Sequence, residues 1–434
     1  MARVSSERPR SVPLARRLAV GDAVVIGLAS MIGAGVFATF APAARAAGSA
    51  LLVSLGIAAL VAYCNATASA QLAARYPTSG GTYIYGRERL GDWWGFVAGW
   101  GFVVGKTASC AAMALTFAAY AVPGHETAQR LTAAAAVAAL SALNYRGVTR
   151  TASLSRLLVA LTLSALTCVV VAIWTGGGAR RANLDGVLSL HHGGVHGLLQ
   201  AAGLLFFAFA GYARIATMGE EVRAPRRTIP RAILVALAVT LVVYAVVALS
   251  VLAATGPDLL ARSTEPLTSA VRAAGSGGAA PIVRIGAVVA SLGSLLALIA
   301  GVGRTGLAMA RHGDLPRWLA AVHPRYRVPH RAEIALAIAV IAIVLSADVR
   351  NVIGFSSFGV LVYYAIANLA AFTQPRSQRR YPAALNVLGV IGCVTLILAL
   401  PSRSVLAGLI MFAVGIAGRA TISYRRRPLA TSRR

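Results

Sequence analysis

The chain has 434 residues, 58% of them hydrophobic and only 12% charged, with a formal net charge of +28. No ordinary soluble domain of this length has that composition, so the sequence is read as an integral membrane protein. The positive charge does not indicate nucleic acid, because the arginines follow the loops between apolar runs and gather on no single soluble face.

In chain order, apolar runs near the roughly 20 residues that cross a hydrocarbon core fall at about 18–44, 49–73, 94–122, 129–145, 154–175, 197–218, 232–254, 282–309, 332–346, 352–373, 384–400 and 405–423. That is about twelve transmembrane helices, the fourth, ninth and eleventh the weakest by length. Residues 1–17 read as an N-terminal tail and 424–434 as a basic C-terminal tail. Arg16 and Arg17 precede an apolar stretch too long for a cleavable leader and lacking a small-residue cleavage site, so the first run is expected to remain. With the N-terminus inside, the loops expected on the cytoplasmic side collect most arginines, from Arg3 to the run Arg425–Arg427. That asymmetry fits an even number of spans with both termini cytoplasmic, and its simplest meaning is topology and contact with anionic lipid.

The first run is interrupted by glycines in Ile32-Gly33-Ala34-Gly35-Val36. Glycine lets a helix unwind, and unwound backbone at membrane depth survives only where protein or a watery cavity satisfies its polar groups. A binding site is expected there. Lys106, the only lysine of the chain, lies in the middle of the third run, with Cys110 one turn on. It sits too far from either end to snorkel, so it is expected to face the bundle interior, a partner or an aqueous path. Two roles follow. Lys106 loads and releases a proton during a transport cycle, or it stays charged and favours an anionic or strongly polar substrate side chain.

The remaining cysteines, Cys64, Cys168 and Cys393, also fall in apolar runs without metal or disulfide spacing. Gly176-Gly177-Gly178 lacks the lysine and helix of a phosphate loop, which argues against ATP-driven transport by this chain alone. His125, His191, His192 and His196 lie in outer loops away from acidic partners, so neither metal nor cofactor is expected. The stretch 255–280 reads as a solvated connection, or else as a partial lid.

A second interruption answers the first. Phe207-Ala208-Phe209-Ala210-Gly211-Tyr212 carries a central glycine five spans later. Paired broken helices at corresponding positions of two halves point to an inverted-repeat transporter with its site near the midplane. Arg214 follows one turn on, with Glu220, Glu221, Asp22 or freed carbonyls as candidate partners in an ion pair or gate. Ala210 and Ala213 leave no carboxylate proton carrier in this helix.

Several motifs together resemble the amino acid-polyamine-organocation permeases. They are Gly33-Ala34-Gly35-Val36-Phe37, Arg75-Tyr76-Pro77-Thr78-Ser79-Gly80-Gly81-Thr82-Tyr83, the sixth run with Gly219-Glu220-Glu221 through Pro230-Arg231, and Arg311-His312-Gly313-Asp314-Leu315-Pro316. They occur in the family's order between about residues 20 and 375. The resemblance implies an all-α membrane protein with a 5+5 inverted repeat of the LeuT-like type and broken helices 1 and 6. The transporter core would be 18–375, with repeats at about 18–175 and 197–373 and accessory spans within 384–423. It also implies alternating access around an amino-acid site. Amides of Ala34, Gly35 and Val36 beside Ile32 and Gly33 suit a carboxylate, and carbonyls of Phe207, Ala208 and Ala210 suit an ammonium. Phe209, Gly211 and Tyr212 would complete the site, with Tyr212 or Phe209 as an aromatic cover, and Lys106 and Cys110 at the substrate's side-chain end. Some proton-coupled relatives carry a lysine in the fifth span, where this chain offers Thr162.

The expected function is secondary transport of an amino acid across a bacterial inner membrane by proton symport, with sodium or no coupling ion as alternatives. An exchanger and a non-transporting nutrient sensor remain the competing readings. An enzyme is not expected.

Overall fold

In the computed structural model the described residues are 18–77, 80–146, 152–187, 193–219 and 221–425. Among them the regular elements are all helices, joined by turns and short loops, with one isolated parallel bridge between Leu18 and Val222. The first apolar run folds as three pieces. α1 (Val20–Met31) ends where Ile32 takes φ −81° and ψ 65°, α2 (Ala34–Ala38) restarts after Gly33, and α3 (Phe40–Ala47) continues beyond Thr39. Asp22 opens α1 by accepting the Ala19 amide at 3.0 Å, which satisfies a donor that the helix itself leaves unpaired.

α4 (Leu51–Arg75) returns, the short α5 (Thr82–Leu90) follows, and α6 (Asp92–Ala121), α7 (Glu126–Tyr145) and α8 (Ala152–Thr175) complete the first half. The sixth run is again broken: α9 (Gly194–Phe209) passes through a tight turn at Ala210–Tyr212 into the four-residue α10 (Ala213–Ala216). α11 (Pro225–Arg262) bends at Gly256, whose φ of +66° next to Pro257 suits glycine. α12 (Pro266–Ala273), α13 (Ala280–Arg311), α14 (His330–Ser346), α15 (Val349–Phe372), α16 (Ala383–Ala399) and α17 (Ser402–Arg425) follow.

A helix occupies each of the twelve apolar stretches. Among the described residues, nine helical segments are long and apolar enough to cross a membrane, and Ala383–Ala399 is a shorter apolar helix. The difference from twelve has local causes: α14 and α16 have 17 residues each, and α7 begins with Glu126, Gln129 and Arg130.

α6 is the central post, packed on α13 and α15. Its crossing with α15 is backbone against backbone: a Cβ on Gly359 would stand 2.7 Å from the Gly101 carbonyl oxygen and 3.1 Å from Gly105 Cα. Between apolar helices in lipid such close approach replaces the missing hydrophobic driving force with van der Waals contact. Cys64, Cys110 and Cys393 are buried and free.

The 255–280 stretch is not a solvated connection. Leu267, Ala270 and Val271 are fully buried, and Tyr120 Oη accepts the Leu267 amide at 3.4 Å. Glu265, which the sequence made look solvated, holds Arg284 at 2.9 Å. Leu267, Ala270 and Val271 recur at helical spacing, which gives α12 one apolar face to lay on the bundle as a cap.

At the other end, which holds the start of α1, Asp314 ties three elements together. Arg87 of α5 reaches it at 2.9 Å, Arg419 of α17 at 3.1 Å, and Tyr83 Oη donates to it at 2.7 Å. The Arg419 guanidinium also lies 4.6 Å from the centre of the Trp93 ring and 4.8 Å from that of Phe96. Burial and the Asp314 charge push the Tyr83 phenol well above its ordinary range, so it stays a donor. Arg87 also holds Asp92 at 2.7 Å, so loss of Asp314 leaves mainly the buried Arg419 without a counter-ion, a cost of about 1–3 kcal/mol. Asp314→Ala is therefore expected to lower the thermal midpoint of the purified protein in detergent, whereas Asp348→Ala at the opposite surface lowers it much less.

Candidate functional site

The two helix breaks meet back to back. A Cβ on Gly211 would collide with the Ser30 carbonyl, one on Gly33 with Ser294 Oγ, and one on Gly35 would stand 2.8 Å from Ala208 Cα. Gly33 itself has φ −119°, so the glycines here are required for closeness more than for unusual backbone angles. The sequence signal was right about glycine and incomplete about its reason.

Unwinding frees backbone groups. The first-turn amides of α2, at Ala34, Gly35 and Val36, have no acceptor within their own helix. The carbonyls around the break are answered mostly by side chains from distant helices. Tyr244 Oη of α11 lies 2.6 Å from the Met31 oxygen and 3.2 Å from that of Ala208, in reach of both breaks. Tyr364 Oη of α15 donates to the Ala210 oxygen at 3.3 Å, and Lys106 Nζ donates to the same oxygen at 3.2 Å. The Phe207 oxygen accepts the Ala210 amide. All three carbonyls expected to receive an ammonium thus already have a donor of the protein, and one of those donors is Lys106. A carbonyl has two lone pairs and can share.

Lys106 is 7% exposed. Among the described residues it has no carboxylate partner. On the same helix Ala108, Cys110 and Met113 belong to a buried apolar cluster that also holds Ala34 of α2, Phe207 of α9 and Leu295 of α13. Ile32 and Val36 are buried in the main core. Of the residues expected from the sequence, Gly35 is brought against Ala208, Gly211 against Ser30 and Lys106 against Ala210. Tyr212 is fully buried and lies 5.0 Å from Tyr364, ring centre to ring centre, and Phe209 lies 5.2 Å from Tyr244. Neither lines the cavity described next. Phe37 does, and it meets Tyr120 edge-on at 5.7 Å while Tyr120 Oη donates to the Phe37 oxygen at 3.1 Å.

Above Phe37 a vestibule of about 670 Å³ opens at the end opposite the start of α1. It is bounded by the ends of α3, α6, α7, α12, α15 and α17 and contains Arg45, Arg130, Arg262, Arg350 and Arg403 against Glu126 and Asp348. At the other end, Arg214 Nη2 lies 3.8 Å from Glu221 and its Nη1 donates to Thr217 Oγ1 at 3.3 Å. Glu220 lies outside the described residues. Asp22 pairs with Arg156.

Sequence reasoning missed Tyr244 and Tyr364, which look like ordinary aromatics of apolar spans. It also missed Glu333, in the first turn of α14, which is 3% exposed with Oε2 lacking a hydrogen-bond partner among the described residues. An acid inside the ninth apolar run was the available signal.

Comparison with known proteins adds a family match. The family model described as amino acid permease matches residues 19–418. The chain is 60% identical to an uncharacterized transporter of Mycobacterium tuberculosis over 94% of its own length and 92% of that protein's. It is 26% identical to a methylthioribose transporter of Bacillus subtilis, with 94% of each chain covered. It is 25% identical to a branched-chain amino acid permease of the same organism, with 93% and 92% covered.

The geometry makes Tyr244 the link between the breaks. Tyr244→Phe keeps the ring and removes the one hydroxyl proton within reach of the Met31 and Ala208 oxygens, leaving a buried carbonyl short of its donor, a loss of about 1–3 kcal/mol. The expected result is a lower thermal midpoint and a fall in uptake larger than that caused by Tyr145→Phe, whose ring lies far from the breaks; equal effects would contradict the assignment.

Proposed function

The chain belongs to the amino acid permease family, and on that premise we propose that it is a secondary active transporter that moves an amino acid by alternating access in symport with protons. It transports a small molecule across a membrane; the amino acid, the coupling ion and the roles of individual residues are the proposed part. The observation that carries the reading is the pair of helix breaks packed against each other. The breaks offer helix-start amides on one side and carbonyls held by side-chain donors on the other, the two kinds of group that a zwitterion needs.

In this reading the α-carboxylate lies against Ala34, Gly35 and Val36, and the ammonium shares the carbonyls of Ala208 and Ala210. The halves 18–175 and 197–373 move relative to each other, Arg214 with Glu221 closes one end, and Phe37 with Tyr120 closes the other. Lys106 is the coupling residue. It hydrogen-bonds the carbonyl that a substrate ammonium would also use, so its position and protonation respond to occupancy without any carboxylate carrier in the sixth span. The arginine asymmetry supports a bacterial inner membrane with both termini cytoplasmic.

Reconstituted protein in proteoliposomes tests this. Radiolabelled amino acid should accumulate when the lumen is alkaline and not when the pH is equal on both sides. Lys106→Ala should still insert and exchange label, yet lose pH-driven accumulation or change its preferred side chain. A wild-type protein that moves label only against internal substrate would show exchange instead, and one that binds without moving it would show a sensor.

A further inference from the structure

We propose that the substrate is a dicarboxylic amino acid carrying net charge −1, and that it moves together with one proton as an electrically neutral load. This deepens the transport reading and rests on it.

The first observation is at the site. Lys106 is buried, its Nζ donates to the Ala210 oxygen at 3.2 Å, and among the described residues no carboxylate pairs with it. A buried ammonium without a counter-ion costs several kcal/mol even after relaxation. The charge balance of each candidate load then decides between substrates. A basic amino acid would leave two positive charges in the occluded site with Lys106 protonated. A neutral zwitterion would leave one, and its ammonium would compete with Lys106 for the Ala210 carbonyl. An acidic amino acid leaves none: its ammonium takes the Ala210 oxygen, which Tyr364 also holds at 3.3 Å, and Lys106 turns to the side-chain carboxylate.

The second observation is independent and lies about ten residues further along α6. The vestibule holds five arginines against two carboxylates, an excess of three positive charges. Both acids are already engaged. Glu126 is paired with Arg130 at 2.8 Å, and Asp348 accepts the Asn351 amide at 2.9 Å to cap α15. Arg45 donates to the Ala261 carbonyl at 2.9 Å. Arg350 donates to Gln200 Oε1 at 3.2 Å, while its buried Nε has no partner among the described residues. A concave mouth of one sign concentrates ligands of the opposite sign and repels like charge. The mouth and the site therefore select the same charge, about ten residues apart along α6.

Proton balance follows from the same rule. The loaded carrier holds ammonium Lys106 and a substrate of charge −1, and is neutral. After the substrate leaves, the ammonium loses its counter-ion, gives one proton to the receiving side, and the amine returns neutral, still able to donate to Ala210. One proton enters with each substrate and no net charge crosses.

The test is uptake by wild-type proteoliposomes of aspartate, glutamate, leucine, serine and arginine, each with an imposed pH gradient and, separately, an imposed membrane potential. Aspartate or glutamate should compete best, by about tenfold or more in half-saturating concentration, because a fully unpaired buried charge separates the loads. Their uptake should follow the pH gradient and ignore a potential of either sign. Arg45→Gln with Arg350→Gln should raise the apparent KM for the acidic substrate about threefold or more and flatten its dependence on salt. Lys106→Gln should reduce the preference for acidic over neutral substrates. Preferred uptake of leucine, serine or arginine overturns the inference and leaves the transport reading standing. Uptake of acidic substrate driven by potential overturns the neutral load. No uptake of any amino acid overturns both readings.

Discussion

The structure depends on how backbone polar groups are satisfied where two helices stop in the middle of an apolar bundle. Water is scarce at that depth and each unpaired carbonyl or amide costs several kcal/mol. The chain resolves this with three side chains from three different helices. Tyr244 lies within reach of both breaks, and Tyr364 and Lys106 converge on one oxygen, that of Ala210. The glycines are the other half of the arrangement. At Gly33, Gly35 and Gly211 an added Cβ would run into Ser294, Ala208 and Ser30, so the broken segments are held at a distance only glycine permits.

That constraint explains why the site is both rigid and exchangeable. The aromatic donors are anchored by ring contacts, Tyr364 against Phe206, Tyr212 and Tyr363, and Tyr244 against Phe209. Lys106 has no such anchor. Its flexible stem ends in a donor whose present partner is a backbone oxygen, and a better acceptor entering the site would redirect it. Lys106 is thus the one member of this hydrogen-bond set whose side chain carries no ring, and on the proposed reading it is the member that changes partner. The two ends of the bundle differ in the same spirit. Asp314 gathers Arg87, Arg419 and Tyr83 into a tight buried knot at one end, while the opposite end opens on loosely held arginines.

The sequence made the all-helical membrane architecture and the two breaks legible, because apolar run length and glycine in a span are local signals. Lys106 was legible for the same reason: a lone cation in an apolar run stands out. Its partner was not, since the Ala210 carbonyl is 104 positions away and carbonyls leave no mark on a sequence. Tyr244 and Tyr364 were hidden among the other aromatics of their spans: both are as deeply buried as Tyr212, and what marks them is the backbone oxygen each hydroxyl reaches, a tertiary contact that no local pattern shows. The 255–280 stretch misled because Gly, Pro, Asp and Glu suggest a solvated loop, yet Glu265 is consumed by Arg284 and α12 is buried beneath it. Glu333 was overlooked although its position in an apolar run was as visible as that of Lys106.

The central claim is that Lys106 changes its partner when substrate enters between the breaks. The chain has one lysine, so labelling with lysine carrying nitrogen-15 at Nζ gives a side-chain resonance that belongs to Lys106 alone, read in the full-length protein in lipid. A saturating amount of an amino acid that the protein transports should move that resonance and change its titration, and an amino acid it does not transport should leave it unmoved. A Lys106 signal identical with and without transported substrate would contradict the account.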